Sequence, residues 1–365
     1  MYDEQRIDNM NKKCVTATDV ARRAGVSQST VSMILNGRED DFTSQTVERV
    51  FQAVKELGYE HRSRGVRCNE EDYAHIIAIF SSSLLNPYYP ELISSIERAA
   101  ERQGFSTAIF DTRRRPELEK RYLAAAKRLN VAGIICTYMP IALEDMQNLQ
   151  PAIPLVVVGD KADSVALDAV EFNSFLAGRM LAAHLAELGH KRIAFISTPL
   201  NTGNTARVRR LEGIRQDLKE RGLEEGLILR LYPREANDPN DSRSSERHIG
   251  YDFAQEILQR APDVTAFIGV NDMIAYGILD AMQAAGKQLP KDVSVCGFDN
   301  ISFSTMSGVS LTTVDYFSGV KGQDALEILL RKRNKTELGA KVVFKMEVTP
   351  QIVIRSTTGP APVRI

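Results

Sequence analysis

The sequence has no tryptophan and only four cysteines, at Cys14, Cys68, Cys136 and Cys296. No two of them form a C-x-x-C pair and few histidines lie near them, so neither a zinc site, a disulfide framework nor any other cofactor is predicted. No apolar run reaches the roughly 18 residues that a membrane span needs. Residues 1–13 are polar and lack the apolar core of a secretory signal. These absences favour a cytoplasmic protein without a membrane partner.

Motifs that carry enzymatic chemistry are missing as well. No G-x-G-x-x-G follows an apolar strand, and neither a P-loop nor a G-x-S-x-G nucleophile elbow is present. Carboxylates and histidines do not cluster along the chain. The sequence therefore predicts no catalytic residues and does not indicate an enzyme. The missing secretion signal also argues against a transport-type binding protein.

The charge of the chain is unevenly distributed. The net charge is −1, yet the segment from Lys12 to Arg38 carries five bases and one acid, and the segment from His61 to Arg67 carries three arginines and no acid. Basic islands at one end of a neutral chain suit local binding of phosphates. A solvated helix face would carry the same charges, so charge alone does not decide between the two.

Residues 14–60 have the pattern of three short helices. Thr16 suits the N-cap of the first helix, and Gly25 suits a left-handed turn at its end. The spacing Ala21-x3-Gly25-x5-Val31 brings two helices close at Ala21 and packs Val31 into the angle between them. A third helix follows Thr43, with an apolar face of Val47, Val50, Phe51, Val54 and Leu57. The pattern predicts an all-α helix-turn-helix head, preceded by a flexible extension of residues 1–13.

The second helix of this head, Gln28 to about Asn36, would enter the major groove of DNA with its N-terminal part. Gln28 can pair bidentately with adenine, Ser29 reads weakly, and Met33 offers apolar contact to a thymine methyl. Hydroxyl and amide side chains nearby would hold phosphates, although Thr16 and Ser27 would also act as helix caps. The predicted DNA-binding residues are Thr16, Ser27, Gln28, Ser29, Thr30, Ser32, Met33, Asn36, Arg62 and Arg64.

From Asp72 onward, apolar runs of strand length alternate with amphipathic helical patterns. Such alternation predicts parallel sheets covered on both faces, and the number of units favours an α/β core of two doubly wound lobes. The predicted strands are 75–80, 106–110, 133–136, 155–158, 192–196, 266–270 and 293–296. The predicted helices are 90–103, 118–129, 177–188, 211–221, 250–259 and 273–284.

Several long motifs span both parts of the chain. The head contains VTATDVARRAGVSQSTVSMILNG (15–37) and TSQTVERVFQAVKELGY (43–59). The core contains NPYYPEL (86–92), LGHKRI (188–193), NDMIAYG (271–277), GKQLPKDVSVCGFDN (286–300), LTTV (311–314) and VTPQIVIRST (348–357). Together these motifs resemble the lactose-repressor (LacI/GalR) family of bacterial transcription regulators over nearly the whole chain.

The resemblance implies a periplasmic-binding-protein-like core at residues 72–358. Its lobes are expected at about 72–189 with 315–332 and at about 190–314 with 333–358, with crossovers near Gly189, near Thr313 and around Arg333. The effector would lie in the cleft beyond the carboxyl ends of the strands. Residues in the loops after strands, and arginines that open a helix, mostly match effector-contacting positions of the family. The predicted effector-binding residues are Ser82, Asn86, Tyr88, Thr137, Arg207, Arg210, Asn271 and Asp299.

Three neighbouring residues keep two interpretations each. Asp272 either lines the cleft or only caps its helix. Tyr89 lies either in the cleft or in the core. Arg209 either contacts the effector or is a solvated partner of Glu212.

The linker, residues 61–71, departs from the family pattern. Members usually have a hinge helix that opens with Pro-Asn and ends in Ala-Arg-x-Leu, and its leucine wedges into the minor groove. This chain has His61, Gly65 and Cys68 at the positions of the proline, alanine and leucine. Glycine disfavours a helix by roughly 1 kcal/mol, so the leucine wedge does not transfer. Val66 or Cys68 as the wedge, or a less bent operator, are the open alternatives.

The resemblance implies a homodimeric regulator, a repressor by expectation, that binds double-stranded operator DNA under the control of a small-molecule effector. A sugar or sugar derivative is the expected class, although Phe172-Asn173 and Ser245 stand where sugar-binding members often have an aspartate and an aromatic platform. A vestigial cleft is therefore the alternative for the core, and the arginines leave room for an anionic or phosphorylated ligand. The tail after Arg355 has no heptads, which favours a dimer over a tetramer.

Overall fold

The computed structural model describes residues 15–35, 38–57, 59, 75–148, 152–161, 165–201, 204–234, 236, 244–316, 318–334 and 342–363. The chain divides into two compact units, residues 1–69 and residues 70–365. No helix in the described ranges is long and apolar enough to span a membrane. Predictions that lie outside the described residues concern the N-terminal extension, the linker with His61, Gly65 and Cys68, and the side chains of Asn36, Arg62 and Arg64.

Three helices form the first unit: α1 (Ala17–Ala24), α2 (Gln28–Leu35) and α3 (Ser44–Leu57). A capping box starts α1, because the Thr16 hydroxyl accepts from the Asp19 N–H at 3.3 Å and the Asp19 carboxylate accepts from the Thr16 N–H at 2.9 Å. Gly25 then ends α1 in the left-handed conformation, with φ at 65°. The turn predicted from the spacing of Ala21, Gly25 and Val31 is thus the one that forms.

The core of this unit is built around Val31, Ile34 and Val50, all at most 1% exposed. The sequence prediction for α3 was wrong at Phe51, which is 43% exposed. Neighbouring residues on a helix point about 100° apart, so Val50 and Phe51 cannot both face the same small core. Ala53 is buried and takes the position beside Val50 that Phe51 was expected to fill.

The second unit contains two six-stranded sheets. The first has the order β11-β5-β4-β3-β1-β2 and the second the order β12-β10-β9-β8-β6-β7. Every pair of neighbours is parallel except β10 and β12. The strands are β1 (Ile76–Ser81), β2 (Ser106–Asp111), β3 (Gly133–Cys136), β4 (Leu155–Val158), β5 (Asp168–Glu171), β6 (Ile193–Ser197), β7 (Leu227–Leu231), β8 (Ala266–Gly269), β9 (Ser294–Phe298), β10 (Thr312–Asp315), β11 (Lys345–Glu347) and β12 (Gln351–Val353).

Helices cover both sheets, as the alternating pattern predicts. In chain order they are α4 (Tyr88–Arg102), α5 (Pro116–Arg128), α6 (Leu143–Gln147), α7 (Ser174–Glu187), α8 (Thr205–Glu220), α9 (Glu246–Arg260), α10 (Asp272–Ala284) and α11 (Ser318–Arg333). Helix α11 packs on α4, β3, β4 and β5 of the first lobe, whereas α7 packs on α8, β10 and β12 of the second lobe. Two doubly wound lobes are therefore present.

The chain passes between the lobes at points that differ from the expected ones. Helix α7 belongs to the second lobe, so the first passage lies at residues 172–173 rather than near Gly189. The second passage lies at Tyr316, close to the expected one near Thr313. Strand β11 pairs with β5 in the first sheet, so the third passage lies at residues 348–350 and not around Arg333. The lobe to which a helix belongs is decided by its packing, which cannot be read from the sequence.

The C-terminal tail of the described chain is held to the second lobe by a buried histidine. His190 is 0% exposed, and its ring nitrogens lie 2.9 Å from the Thr265 hydroxyl, 3.0 Å from the Ser294 hydroxyl and 3.1 Å from the Gly359 carbonyl oxygen. Burial lowers the pKa of His190 below its usual range. The folded core therefore holds the neutral imidazole more strongly than the unfolded chain does.

Stability that depends on neutral His190 is present above the unfolded pKa, about 6.5, and is lost as the pH falls below it. We expect the thermal midpoint of the wild type to fall more steeply than that of His190→Asn between about pH 7.5 and about pH 5.5. Circular dichroism would measure both midpoints. His75→Asn, which removes an exposed imidazole, is the control and should follow the wild type. Equal slopes for His190→Asn and the wild type would contradict the assignment.

Candidate functional site

The first turn of α2 presents polar side chains to solvent. Gln28 and Ser29 are exposed, while Ser32 and Met33 are half-buried. Ser27 accepts from the Thr30 N–H at 3.1 Å, and its hydroxyl lies 2.7 Å from that of Ser29 and 2.8 Å from that of Thr30. Ser27 therefore caps α2.

The exposed side chains in the first turn of α2 are polar. The exposed Gln28 amide carries both a donor and an acceptor, which is the combination that pairs with adenine in the major groove. Thr16 is also exposed, although its hydroxyl is already shared with Asp19. The capping role of Thr16 and Ser27 is thus present in the fold itself, and phosphate contacts by them stay a prediction.

In the second unit, a cavity lies between the two lobes. Loops after β1 and β3 supply its wall in the first lobe, and loops after β8 and β9 together with the start of α8 supply its wall in the second lobe. Seven of the eight predicted effector residues line it: Asn86, Tyr88, Thr137, Arg207, Arg210, Asn271 and Asp299.

The eighth predicted residue, Ser82, is not part of the cavity wall. It is buried directly after β1, before the loop turns toward the cavity. Tyr89 lines the cavity. Arg209 is half-buried and donates to the backbone carbonyl of Lys161 at 3.2 Å, so it bridges the lobes rather than lying in solvent beside Glu212.

Arg210 holds the second-lobe wall together. Its guanidinium donates to the Tyr316 hydroxyl at 3.1 Å, to the Asp299 carboxylate at 3.2 Å and to the Val270 carbonyl. The guanidinium carbon also lies 4.7 Å from the ring centroid of Phe298 and 5.1 Å from that of Tyr316. Arginine is suited to this place because its planar fork can donate to several acceptors while its face stacks on aromatic rings.

Asp299 of the second-lobe wall interacts electrostatically with Tyr88 of the first-lobe wall. Burial raises the pKa of Asp299 to about 6, although the Arg210 guanidinium acts in the opposite direction. Burial and the Asp299 charge raise the pKa of Tyr88 well above its usual range. The backbone of Asp299 has φ at 114°, a conformation that residues with a side chain rarely adopt. The surrounding structure imposes this strain, and it aims the carboxyl group at the cavity.

Glu246 joins the two lobes across the cavity. One carboxylate oxygen accepts from the Asn86 side-chain amide of the first lobe at 2.8 Å, and the other accepts from the Asn271 amide of the second lobe at 2.7 Å. The Asn271 oxygen in turn caps α10 by accepting from the Ile274 N–H at 2.9 Å. The Glu246 carboxylate therefore bridges the two lobes at the cavity.

Asp272 does not line the cavity but stabilises segments next to its wall. It is 0% exposed, and its carboxylate accepts from the Ser304 hydroxyl at 2.6 Å, the Thr313 hydroxyl at 2.6 Å and the Ile301 N–H at 3.2 Å. Burial and the nearby Asp299 charge raise the pKa of Asp272 to about 7. The cap of α10 is Asn271, so neither interpretation of Asp272 from the sequence describes its role.

Several wall residues were missed by sequence analysis. Asp160 follows β4 at its carboxyl end, and the rule that selected Thr137 after β3 would have found it. Phe172 was missed because β5 was not predicted, and Glu246 because the helix that begins with it was predicted to start only at residue 250. Other lining residues include Arg114, Tyr138, Met139 and Asn204. Among the residues that the structure describes, no group of three His, Cys, Asp or Glu side chains could hold a metal ion.

Two family models match this chain. The model described as bacterial regulatory proteins, lacI family, matches residues 16–61, and the one described as periplasmic binding proteins and sugar binding domain of LacI family matches residues 73–343. The transcriptional repressor PurR of Haemophilus influenzae (strain PittEE) is 30% identical over 346 residues, which cover 94% of this chain and 98% of the relative. The ribose operon repressor of Escherichia coli (strain K12) is 29% identical over 350 residues, covering 94% and 99%.

Solved structures agree with these matches. The lac repressor dimer bound to operator and the anti-inducer ONPF has a TM-score of 0.67 at 25% identity, covering 95% of this chain and 100% of that chain. A LacI family transcriptional regulator from Enterococcus faecium with bound ribose has a TM-score of 0.66 at 26% identity, covering 78% and 99%.

The role of Asp272 can be tested by its removal. We expect Asp272→Ala to lower the free energy of unfolding of the core by about 3 kcal/mol, because three buried donors lose their acceptor. Urea denaturation followed by circular dichroism would measure it. Asp280→Ala lies on the same helix but breaks only the exposed ion pair with Arg247, and it should cost less than about 1 kcal/mol. Equal losses for the two variants would show that Asp272 is not a support of the wall.

Proposed function

Because the chain belongs to the LacI family of bacterial regulatory proteins, we propose that it is a transcription repressor whose affinity for operator DNA is controlled by a small-molecule effector, a sugar or sugar derivative, bound between the two lobes. The observation that supports this most directly is the cavity between the lobes that is lined by seven of the eight residues predicted to contact an effector. Relatives named as repressors match over almost their whole length. Operator binding implies that the protein acts in the cytoplasm.

The proposed DNA contacts divide into two kinds. Gln28, Ser29 and Met33 of α2 read base edges, and the surrounding hydroxyl, amide and guanidinium groups hold phosphates and set the register. The phosphate contacts are assigned to Thr16, Ser27, Thr30, Ser32, Asn36, Arg62 and Arg64. A two-fold homodimer would place one head on each half-site of a pseudo-palindromic operator.

The proposed control is a change in the angle between the lobes. Hydrogen bonds such as Asn86–Glu246 and Arg209–Lys161 join the lobes, and an effector in the cavity competes with them or adds to them. The two arrangements of the lobes would differ in how they hold the two heads of a dimer. By linkage, effector and operator must change each other's affinity by the same factor.

Fluorescence anisotropy tests both halves of the proposal. The purified protein is titrated against DNA from upstream of its own gene at fixed salt, with and without a panel of sugars and sugar phosphates. Tight, sequence-dependent binding that one compound shifts supports the proposal. Specific binding that no compound shifts would support the vestigial cleft, and loose binding to any DNA would contradict the repressor.

Gln28 provides a sharp test of base reading. We expect Gln28→Ala to weaken binding by roughly 1–3 kcal/mol at one operator base pair and to leave affinity for operators changed at that pair unaltered. Anisotropy titrations against a set of single-base operator variants would measure this. Gln52→Ala removes a glutamine that bonds only Glu56 on α3 and is the control. A uniform loss on all sequences would reassign Gln28 to a phosphate contact.

Asp299 provides the matching test of the cavity. We expect Asp299→Ala to abolish the effector's influence on operator binding while leaving effector-free operator affinity within about twofold of the wild type. Asp299→Asn keeps the size of the side chain and checks for loss of folding. Asp263→Ala, at an exposed ion pair with Arg192, is the control. A normal response in both Asp299 variants would remove Asp299 from the site.

A further inference from the structure

Lys321 is a buried cation without a hydrogen-bond partner among the described residues. It lies in the first turns of α11 and is 0% exposed. Its ammonium nitrogen lies 3.6 Å from the ring centroid of Phe172 and 5.0 Å from that of Tyr316, and no described group accepts a hydrogen bond from it. A buried ammonium that only faces aromatic rings is costly, because the rings replace a small part of its hydration.

The two aromatic residues place Lys321 at the base of the cavity. Phe172 lies in the first passage between the lobes and lines the cavity, and Tyr316 lies in the second passage and accepts from Arg210. Lys321 therefore stands between two of the three segments that connect the lobes. Its charge is separated from the cavity by one aromatic side chain.

Two of the three acids around Lys321 accept hydrogen bonds from other groups. The charged groups that act on it are Asp299, Asp315 and Asp160, which favour the ammonium, and Arg210, which opposes it. Asp299 accepts from Arg210, and Asp160 accepts from the Phe172 and Ser174 N–H groups at 2.9 Å each. Burial accordingly lowers the pKa of Lys321 well below its usual range. None of the described carboxylates accepts a hydrogen bond from the Lys321 ammonium.

A methionine or leucine would fill the same space without an unpaired charge. The cavity wall carries Arg114, Arg207 and Arg210 together with Asp160, Glu246 and Asp299, so its cations and carboxylates are equal in number before Lys321 is added. Lys321 would tip that balance toward a negative charge that enters the cavity. We propose that the effector carries an anionic oxygen group, a carboxylate or a phosphate, and that Lys321 together with Arg210 supplies the positive charge that receives it. This inference rests on the proposed function, since it names the chemistry of the same effector.

One consequence separates this role from a merely structural one. An anion bound near Lys321 stabilises its ammonium form, so effector binding takes up a proton at the pH where the empty site holds the neutral amine. Isothermal calorimetry in two buffers of different ionisation enthalpy measures that uptake. If Lys321 only filled space, wild type and Lys321→Met would show the same proton uptake on binding.

The test compares wild type with Lys321→Met, which keeps the length of the side chain and removes the cation. Arg331→Met is the matched control, because it removes one positive charge from the same helix at an exposed ion pair with Glu327. Lys321→Met should fold at least as well as the wild type, because a buried unpaired charge is removed. Lys321→Gln is a second variant that keeps hydrogen-bond donors and lacks the charge.

The probes are ribose against ribose 5-phosphate, glucose against gluconate and glucose 6-phosphate, and inorganic phosphate alone. We expect at least one anionic probe to raise the thermal midpoint of wild type and Arg331→Met by about 2 °C or more above its neutral counterpart. Affinity for that probe should fall about tenfold or more in Lys321→Met and Lys321→Gln, with loss of the proton uptake. The gluconate and phosphate arms distinguish a sugar acid from a sugar phosphate.

The inference is wrong if neutral sugars stabilise the wild type as much as their anionic counterparts, if no anionic probe stabilises it, or if Lys321→Met binds the anion as the wild type does. These outcomes leave the repressor proposal standing where operator binding is specific and responds to a neutral compound. Loss of specific operator binding in the wild type would instead contradict the proposed function itself.

Discussion

The arrangement of the cavity depends on one buried guanidinium. Arg210 donates to groups beyond the ends of three neighbouring strands, the Val270 carbonyl after β8, the Asp299 carboxylate after β9 and the Tyr316 hydroxyl after β10. A shift of any one of these strand ends would leave a buried charged donor unpaired, which costs far more than a neutral hydrogen bond is worth. The backbone around Arg210 is equally constrained, because a Cβ at Gly178 of α7 would overlap the Arg210 carbonyl oxygen.

Contacts between the lobes are of a different kind. Asn86–Glu246 at 2.8 Å, Arg209–Lys161 at 3.2 Å and the Ser302 N–H to Glu91 at 2.9 Å are individual hydrogen bonds. Each of these bonds involves a charged group, for which the net contribution is about 1.5–3 kcal/mol, so the arrangement of the lobes is within reach of the energy that a small ligand supplies. Each lobe is held rigid by its sheet and its buried polar groups, while the closure between lobes is adjustable. A protein that converts ligand binding into a movement of its lobes needs both rigid lobes and adjustable contacts between them.

Sequence analysis succeeded where structure is local. The head depends on neighbours within a few residues, such as the Thr16–Asp19 box and the turn at Gly25, and its three helices were predicted. All seven predicted strands exist, because buried parallel strands are continuous apolar runs. Strands β5, β7, β10, β11 and β12 were missed; of these, β5 begins and ends with acids and β11 is exposed throughout. Helix α8 was predicted to start at residue 211 rather than Thr205, because its first turns are arginine-rich and carry no apolar period.

The sequence by itself determined the three-helix head, the two-lobe α/β core and seven of the residues around the cavity, because these follow from helix caps, apolar periods and the rule that ligands meet the ends of parallel strands. Tertiary structure alone decided which lobe α7 and β11 join, and that Glu246 bridges Asn86 and Asn271. It also decided that the Lys321 ammonium has no hydrogen-bond partner among the described residues. Most of these features depend on groups far apart in the sequence that meet in a buried space, where pairing, and not residue type, sets the energy of a charge.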